Sequence, residues 1–206
     1  MKKSVCLTVA IILMICLCAC TQKDEVKIKN IECTKIIEME KAVAKQYIGD
    51  KYLCPLQNAG LLGKSKWENV SEITPNSFIL YYWTNEVNPN IQSFIDKYEK
   101  VDNCVFVPEK IVENYIQKVF DIDTETLRKA DKFYSESKQA YKLSVAEIRK
   151  PVYNFIIKKY KVYDDKIVVE CIFAPLHPKD SDKERRIVTI EFGDNNYKYV
   201  SCVKKQ

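Results

Sequence analysis

The spacing of apolar residues changes near residue 150, and the change divides the chain into a part that predicts helices and a part that predicts strands. From Thr34 onward, Ile36, Ile37, Val43, Ala44, Tyr47 and Ile48 recur at helical spacing, with Gly49 where a helix C-cap is expected. Residues 50–73 contain Pro55, Gly60 and Gly63 and read mostly as loop. Thr74-Pro75 is a favoured helix start, a capping hydroxyl followed by a residue with fixed φ and no N–H to satisfy. It predicts a helix through Phe78, Ile79, Leu80, Tyr81, Tyr82 and Trp83, although that unbroken run also fits a buried strand. Asn88-Pro89 repeats the device before Ile91, Phe94, Ile95 and Tyr98. Val107-Pro108 does so before the clearest stripe of all, Ile111, Val112, Tyr115, Ile116, Val119 and Phe120. Asp123 and Thr124 can cap a shorter helix through Leu127 and Ala130, so everything to about residue 135 is expected to be mainly helical.

After Pro151 the period shortens. Tyr153 to Tyr163 is rich in aromatic and β-branched residues, Asp164-Asp165 is a turn signal, and Ile167, Val169, Cys171 and Phe173 alternate as on a half-buried strand. Residues 174–184 read as a polar loop. Ile187 to Phe192 and Tyr197 to Val203 form two further strands, joined by the hairpin signal Gly193-Asp194-Asn195-Asn196. Helices first and an antiparallel meander of about four strands last is an α+β arrangement. No internal repeat or low-complexity tract interrupts it.

The amino terminus obeys different rules. Lys2 and Lys3 precede an apolar run from Val5 to Leu17, and charge returns at Lys23, Asp24 and Glu25. A run this short is a secretory leader, since a spanning helix needs about 20 apolar residues. Leu17-Cys18-Ala19-Cys20 resembles the lipobox of bacterial lipoprotein precursors, with small Ala19 before the cleavage point and Cys20 as the first mature residue. That resemblance implies a diacylglyceryl group on the Cys20 thiol and a protein held at the outer face of the cell membrane. Each buried acyl methylene contributes about 0.8 kcal/mol, so two chains anchor stably. The expected organisation is a signal peptide over 1–19, a lipidated cysteine and tether over 20–33, and one α+β domain over 34–206. Val107 to Ile116, Phe120 to Arg128 and Tyr197 to Ser201 also look like uncharacterised lipoproteins of low-GC Gram-positive bacteria, which implies no activity.

Composition narrows the classes further. Cleavage before Cys20 lowers the net charge from +5 to +3, and the remaining Lys residues are interleaved with Glu and Asp. A nucleic-acid partner, which requires clustered basic residues, is not expected. Besides Cys20 the mature part has Cys33, Cys54, Cys104, Cys171 and Cys202, an odd set with no C-x-x-C, so neither zinc nor dithiol redox chemistry is expected. A disulfide joining Cys171 to Cys202 requires their strands to be neighbours.

Little catalytic chemistry is legible. His177, the only histidine, lies between prolines in a polar loop, and no Gly-x-Ser-x-Gly elbow accompanies it. Four glycines in the whole chain do not make a phosphate-cradling loop, and no cofactor or metal is expected. Asp121, Asp123, Asp164 and Asp165 are explained by caps and turns, and the sequence does not single out an acidic pair. Trp67, Tyr81, Tyr82 and Trp83, with Phe78 and Tyr98 nearby, are candidate ligand-contact aromatics, against the plainer reading that such rings fill the core. The expectation is a lipid-anchored, non-enzymatic binding or assembly component whose partner is a membrane protein, a wall polymer or a small solute. The alternatives are a surface hydrolase using two carboxylates and the solute receptor of a transporter.

Overall fold

The computed structural model describes residues 30–62, 66–146, 153–175 and 183–205. Residues 1–29, Cys20 among them, and Gly63, Pro151 and His177 lie outside the described residues. The fold is α+β, with helices gathered in the amino-terminal half and two antiparallel four-stranded sheets.

The first helical segment starts earlier than its apolar spacing predicts and is broken in two. Helix α1 runs Ile31–Glu38 and α2 runs Lys41–Ile48. Asn30 caps α1, its side-chain oxygen accepting from the backbone N–H groups of Glu32 and Cys33. Met39 and Glu40 are extended, with ψ of 146° and 141°, although neither proline nor glycine marks the break. Gly49 is not a left-handed C-cap. It stays right-handed and leads into a π-helical turn, Gly49–Leu53, followed by α3, Cys54–Asn58. Residues 50–58 of the expected loop are therefore helical, and the chain turns away at Gly60, whose φ is +73°.

A second π-helical turn, Trp83–Val87, follows α4, Pro75–Tyr82. Both widened turns end two residues before a proline, Pro55 and Pro89. Proline has no N–H to donate and its ring collides with the carbonyl four residues back, Lys51 or Asn85. Widening the turn there lets the chain pass the proline without leaving the helix. Asn88 consequently opens a short 3₁₀ segment, Asn88–Asn90, and α5 begins only at Ile91, running to Lys97.

The region to residue 135 is less uniformly helical than its spacing predicts. Strands β1, Lys100–Val101, and β2, Cys104–Pro108, precede α6, Glu109–Val119; then come α7, Thr124–Arg128, β3, Tyr134–Ser135, and β4, Ala140–Ser144. They form a small sheet in the order β1-β2-β4-β3, in which Val105 faces Leu143 and Val107 faces Tyr141. The meander consists of β5, Tyr153–Val162, β6, Lys166–Pro175, β7, Glu184–Phe192, and β8, Tyr197–Lys204, paired in sequence order. Its turns are those the sequence marks, closed by Tyr163 N–H to Lys166 O at 2.8 Å and Gly193 N–H to Asn196 O at 2.9 Å.

Helix α6 joins the two sheets, packing on β8 of one, on β2 and β4 of the other, and on α4. At that junction Phe120 meets Phe78 and Tyr81 at 5.1 Å and Tyr199 at 5.2 Å between ring centroids. All four rings are buried. The meander's inner face contributes Ile167, Val169, Cys171, Val188, Ile190 and Cys202 to the same core.

Cys171 and Cys202 are both inward, but β7 lies between their strands. Residues two strands apart stand about 9.5 Å from one another, beyond the Cα separation of about 7 Å that a disulfide tolerates. All five described cysteines are free thiols, and burial pushes those of Cys171 and Cys202 up to about 12 and that of Cys33 up to about 11. None of these three buried thiols is a reactive thiolate.

Candidate functional site

The hairpin end of the meander carries an open cleft of about 390 Å³, within the size range of small-ligand sites. One wall is the start of α1, with Asn30, Ile31 and Glu32; the other is the end of β7 and its turn, Phe192 to Asn196, then Tyr197. Lys51 and Tyr52, from the first widened turn, close the base.

Asn30 holds the walls together. While its oxygen caps α1, its amide donates to the carbonyls of Phe192 at 3.3 Å and Gly193 at 3.1 Å. Its own N–H bonds to Asp164 O across the neighbouring turn at 3.3 Å. Asn30 is thus fixed against the β5–β6 and β7–β8 turns of the meander.

Glu32 is the chemical centre of the cleft. Its Oε1 accepts from Tyr47 Oη at 2.5 Å, Tyr52 Oη at 2.6 Å and Lys51 Nζ at 3.0 Å. Lys51 and Lys35 also reach Tyr47 Oη, at 2.8 and 3.0 Å. Partial burial alone raises the pKa of this carboxyl, but the two phenols and the ammonium outweigh burial and hold it below the ordinary carboxylate range. Burial lowers the Lys51 pKa, and the bonds to Tyr47 and Glu32 outweigh it and hold Lys51 above its usual value. Glu32 is a fixed anion with one oxygen saturated, and no described residue donates to the other.

The floor is aromatic. Tyr52 packs edge-on against Phe192 at 5.5 Å and Tyr197 at 5.0 Å, and Tyr199 donates to Tyr52 O at 2.7 Å from below. On the far side of the hairpin a second hollow, about 810 Å³, is lined by Lys118, Val119 and again Asp194 to Tyr197. The turn is therefore a ridge with space on both flanks. Lys198 fixes it to the body of the protein by donating to the carbonyls of Gln117 and Phe120 at the end of α6.

The candidate aromatics lie elsewhere. Trp67 is buried, donates Nε1–H to Leu61 O at 3.2 Å and pairs its backbone with Cys202 on the edge of β8. Tyr81 and Tyr82 are buried; Tyr82 packs on Tyr115 at 5.1 Å. Trp83 is half-buried and donates to Ser144 O at 2.8 Å. None of the four lines the cleft. Asp123 caps α7, accepting from Thr126 N–H at 2.7 Å. Among the described residues no group of three or more His, Cys, Asp and Glu is arranged to hold a metal, and no helix is long and apolar enough to cross a membrane.

Glu32, Lys51 and Tyr52 carry no motif, and sequence reasoning missed them. Asn30 preceding an acidic first turn was the available signal, since that pattern marks a helix start. Compared with family models, with curated proteins and with solved structures, the chain matches none.

Two carboxylates, Glu32 and Asp194, line the cleft, as a hydrolase of sugars requires. A general acid needs a raised pKa, and Glu32 is shifted the other way. The arrangement suits binding better than proton transfer.

Proposed function

We propose that the chain is a lipid-anchored, extracytoplasmic binding component that holds its ligand in the cleft between α1 and the β7–β8 hairpin. The observation that carries this reading is the position of Asn30, which edges the cleft and lies ten residues from Cys20 of the lipobox-like sequence. Ten residues extend to at most about 35 Å. A domain of this size is about 40 Å across, judged from a radius of gyration of about 16 Å. An acyl group on Cys20 therefore keeps the Asn30 end toward the bilayer or at its side, because a domain turned over would carry Asn30 beyond the reach of its tether. The cleft then opens close to the membrane surface, where tethering raises the effective concentration of the domain toward anything else confined there.

Membrane fractionation with fatty-acid labelling tests the anchor. Wild-type protein is expected in the membrane fraction carrying label, and Cys20→Ala unprocessed and unlabelled. Equal labelling of the two overturns the lipidation and the orientation with it.

A further inference from the structure

The lining of the cleft selects among ligand chemistries, and we infer that it takes a neutral, hydroxyl-rich ligand: a saccharide. This deepens the proposed function by naming what the cleft binds; it rests on the cleft and is independent of the anchor.

Charge excludes two classes first. Among the described lining residues Glu32 and Asp194 stand against one cation, Lys51, so an anionic ligand meets an unfavourable field there. A cationic ligand gains little, because the Glu32 charge already faces the Lys51 ammonium at 3.0 Å and Asp194 is exposed on the turn, where solvent and salt screen it. What Glu32 still offers is its second oxygen, to which no described residue donates, and hydrogen bonds to an ionised acceptor are the stronger kind. A sugar hydroxyl supplies that donor without bringing a charge.

The remaining groups agree. Asn195 and Asn196 place carboxamides on the ridge, and a carboxamide both donates to and accepts from hydroxyl groups. Tyr197 is half-buried at the cleft, its ring braced by Tyr52 at 5.0 Å and Tyr199 at 5.3 Å. An immobilised ring of that kind can pack against the C–H face of a pyranose while losing little side-chain entropy. The hollows on both flanks of the hairpin share Asp194 to Tyr197, so the ridge accommodates a chain of several sugar units better than a single ring.

The test uses the full chain as isolated, in phosphatidylcholine nanodiscs where it carries an acyl anchor and in buffer where it does not, and reads saturation-transfer NMR and calorimetry. The probes are cellobiose, maltose and diacetylchitobiose with their longer oligomers, glucosamine as a cation, glucuronate as an anion, and glycine as a zwitterion. At least one neutral disaccharide is expected to bind with a Kd of about 1 mM or below, tightening in the longer oligomer. Glu32→Gln, which keeps the shape but not the charge, and Asn195→Ala, a turn substitution that leaves the fold intact, are each expected to weaken binding about tenfold. Saccharide binding that neither variant changes overturns the assignment, as does tighter binding of glucosamine or glucuronate than of the neutral sugars. Glycine or glucosamine binding lost in Glu32→Gln, with no neutral saccharide bound, overturns the ligand class and leaves the cleft as the binding site. A glycolipid bearing the same sugar, added to the nanodisc, separates a membrane-borne source from a free one.

Discussion

Two carboxylates on two helices, Glu32 on α1 and Glu113 on α6, are both gripped by hydroxyls and cations, yet one is closed and the other open. Glu113 is buried, and Arg128 meets both its oxygens, Nε to Oε1 at 2.8 Å and Nη2 to Oε2 at 3.2 Å, with Tyr141 Oη at 3.4 Å. The same guanidinium reaches Glu109 Oε1 at 2.9 Å, and Tyr134 takes the other Glu109 oxygen at 2.7 Å. This network joins α6, α7 and the small sheet and leaves no acceptor for a ligand. Glu32 instead concentrates its donors on Oε1 beside a cleft. Glu113 thus has both oxygens occupied, whereas Glu32 keeps one oxygen to which no described residue donates.

The largest test of that contrast is Glu113→Ala, which empties a buried position and takes the carboxylate from the Tyr141 hydroxyl, while the partly exposed Arg128 keeps Glu109. A loss of about 2 kcal/mol is expected from urea unfolding, with ligand affinity unchanged. A loss below about 1 kcal/mol makes the network dispensable and removes the contrast.

Asn30→Ala comes next. It deletes a helix cap and the two bonds that tie α1 to the hairpin, at a cost of about 1 kcal/mol. Because those bonds set the width of the cleft, ligand binding is expected to weaken too, which separates this variant from Glu113→Ala.

The smallest effect at neutral pH belongs to Glu32→Gln, and its sign depends on pH. The folded carboxyl has a pKa below its ordinary value of 4.5, so the folded state binds fewer protons than the unfolded chain as pH falls through that region. The stabilisation is whole above the ordinary value and lost as pH drops through the lowered one. Urea midpoints of wild type and variant should therefore differ at neutral pH and converge as pH falls through the lowered value. A gap that widens on acidification contradicts the grip assigned to Glu32.

The meander was legible because its information is local. Ile167, Val169, Cys171 and Phe173 alternate, and Asp164-Asp165 and Gly193 to Asn196 are turns wherever they occur. The small sheet was not, because β2 and β4 are short and are held together across α6 and α7, so neither segment carries a pattern of its own. The cleft was illegible for the same reason. Glu32, Lys51 and Tyr197 are unremarkable in their own segments and meet only when Asn30 docks on the hairpin.

What the sequence determined by itself was periodicity and punctuation: the buried stripe of α6, the cap at Asp123, the order of strands β5 to β8, and the α+β class that follows. Tertiary structure decided the break at Met39 and Glu40, the passage through Pro55, the use of Trp67, Tyr81 and Tyr82 as core, and the second sheet. The physical reason is that period and turn chemistry act over a few neighbouring residues. Burial of a ring, pairing of a short strand and the accumulation of donors on one carboxylate oxygen depend on groups that only the folded chain brings together.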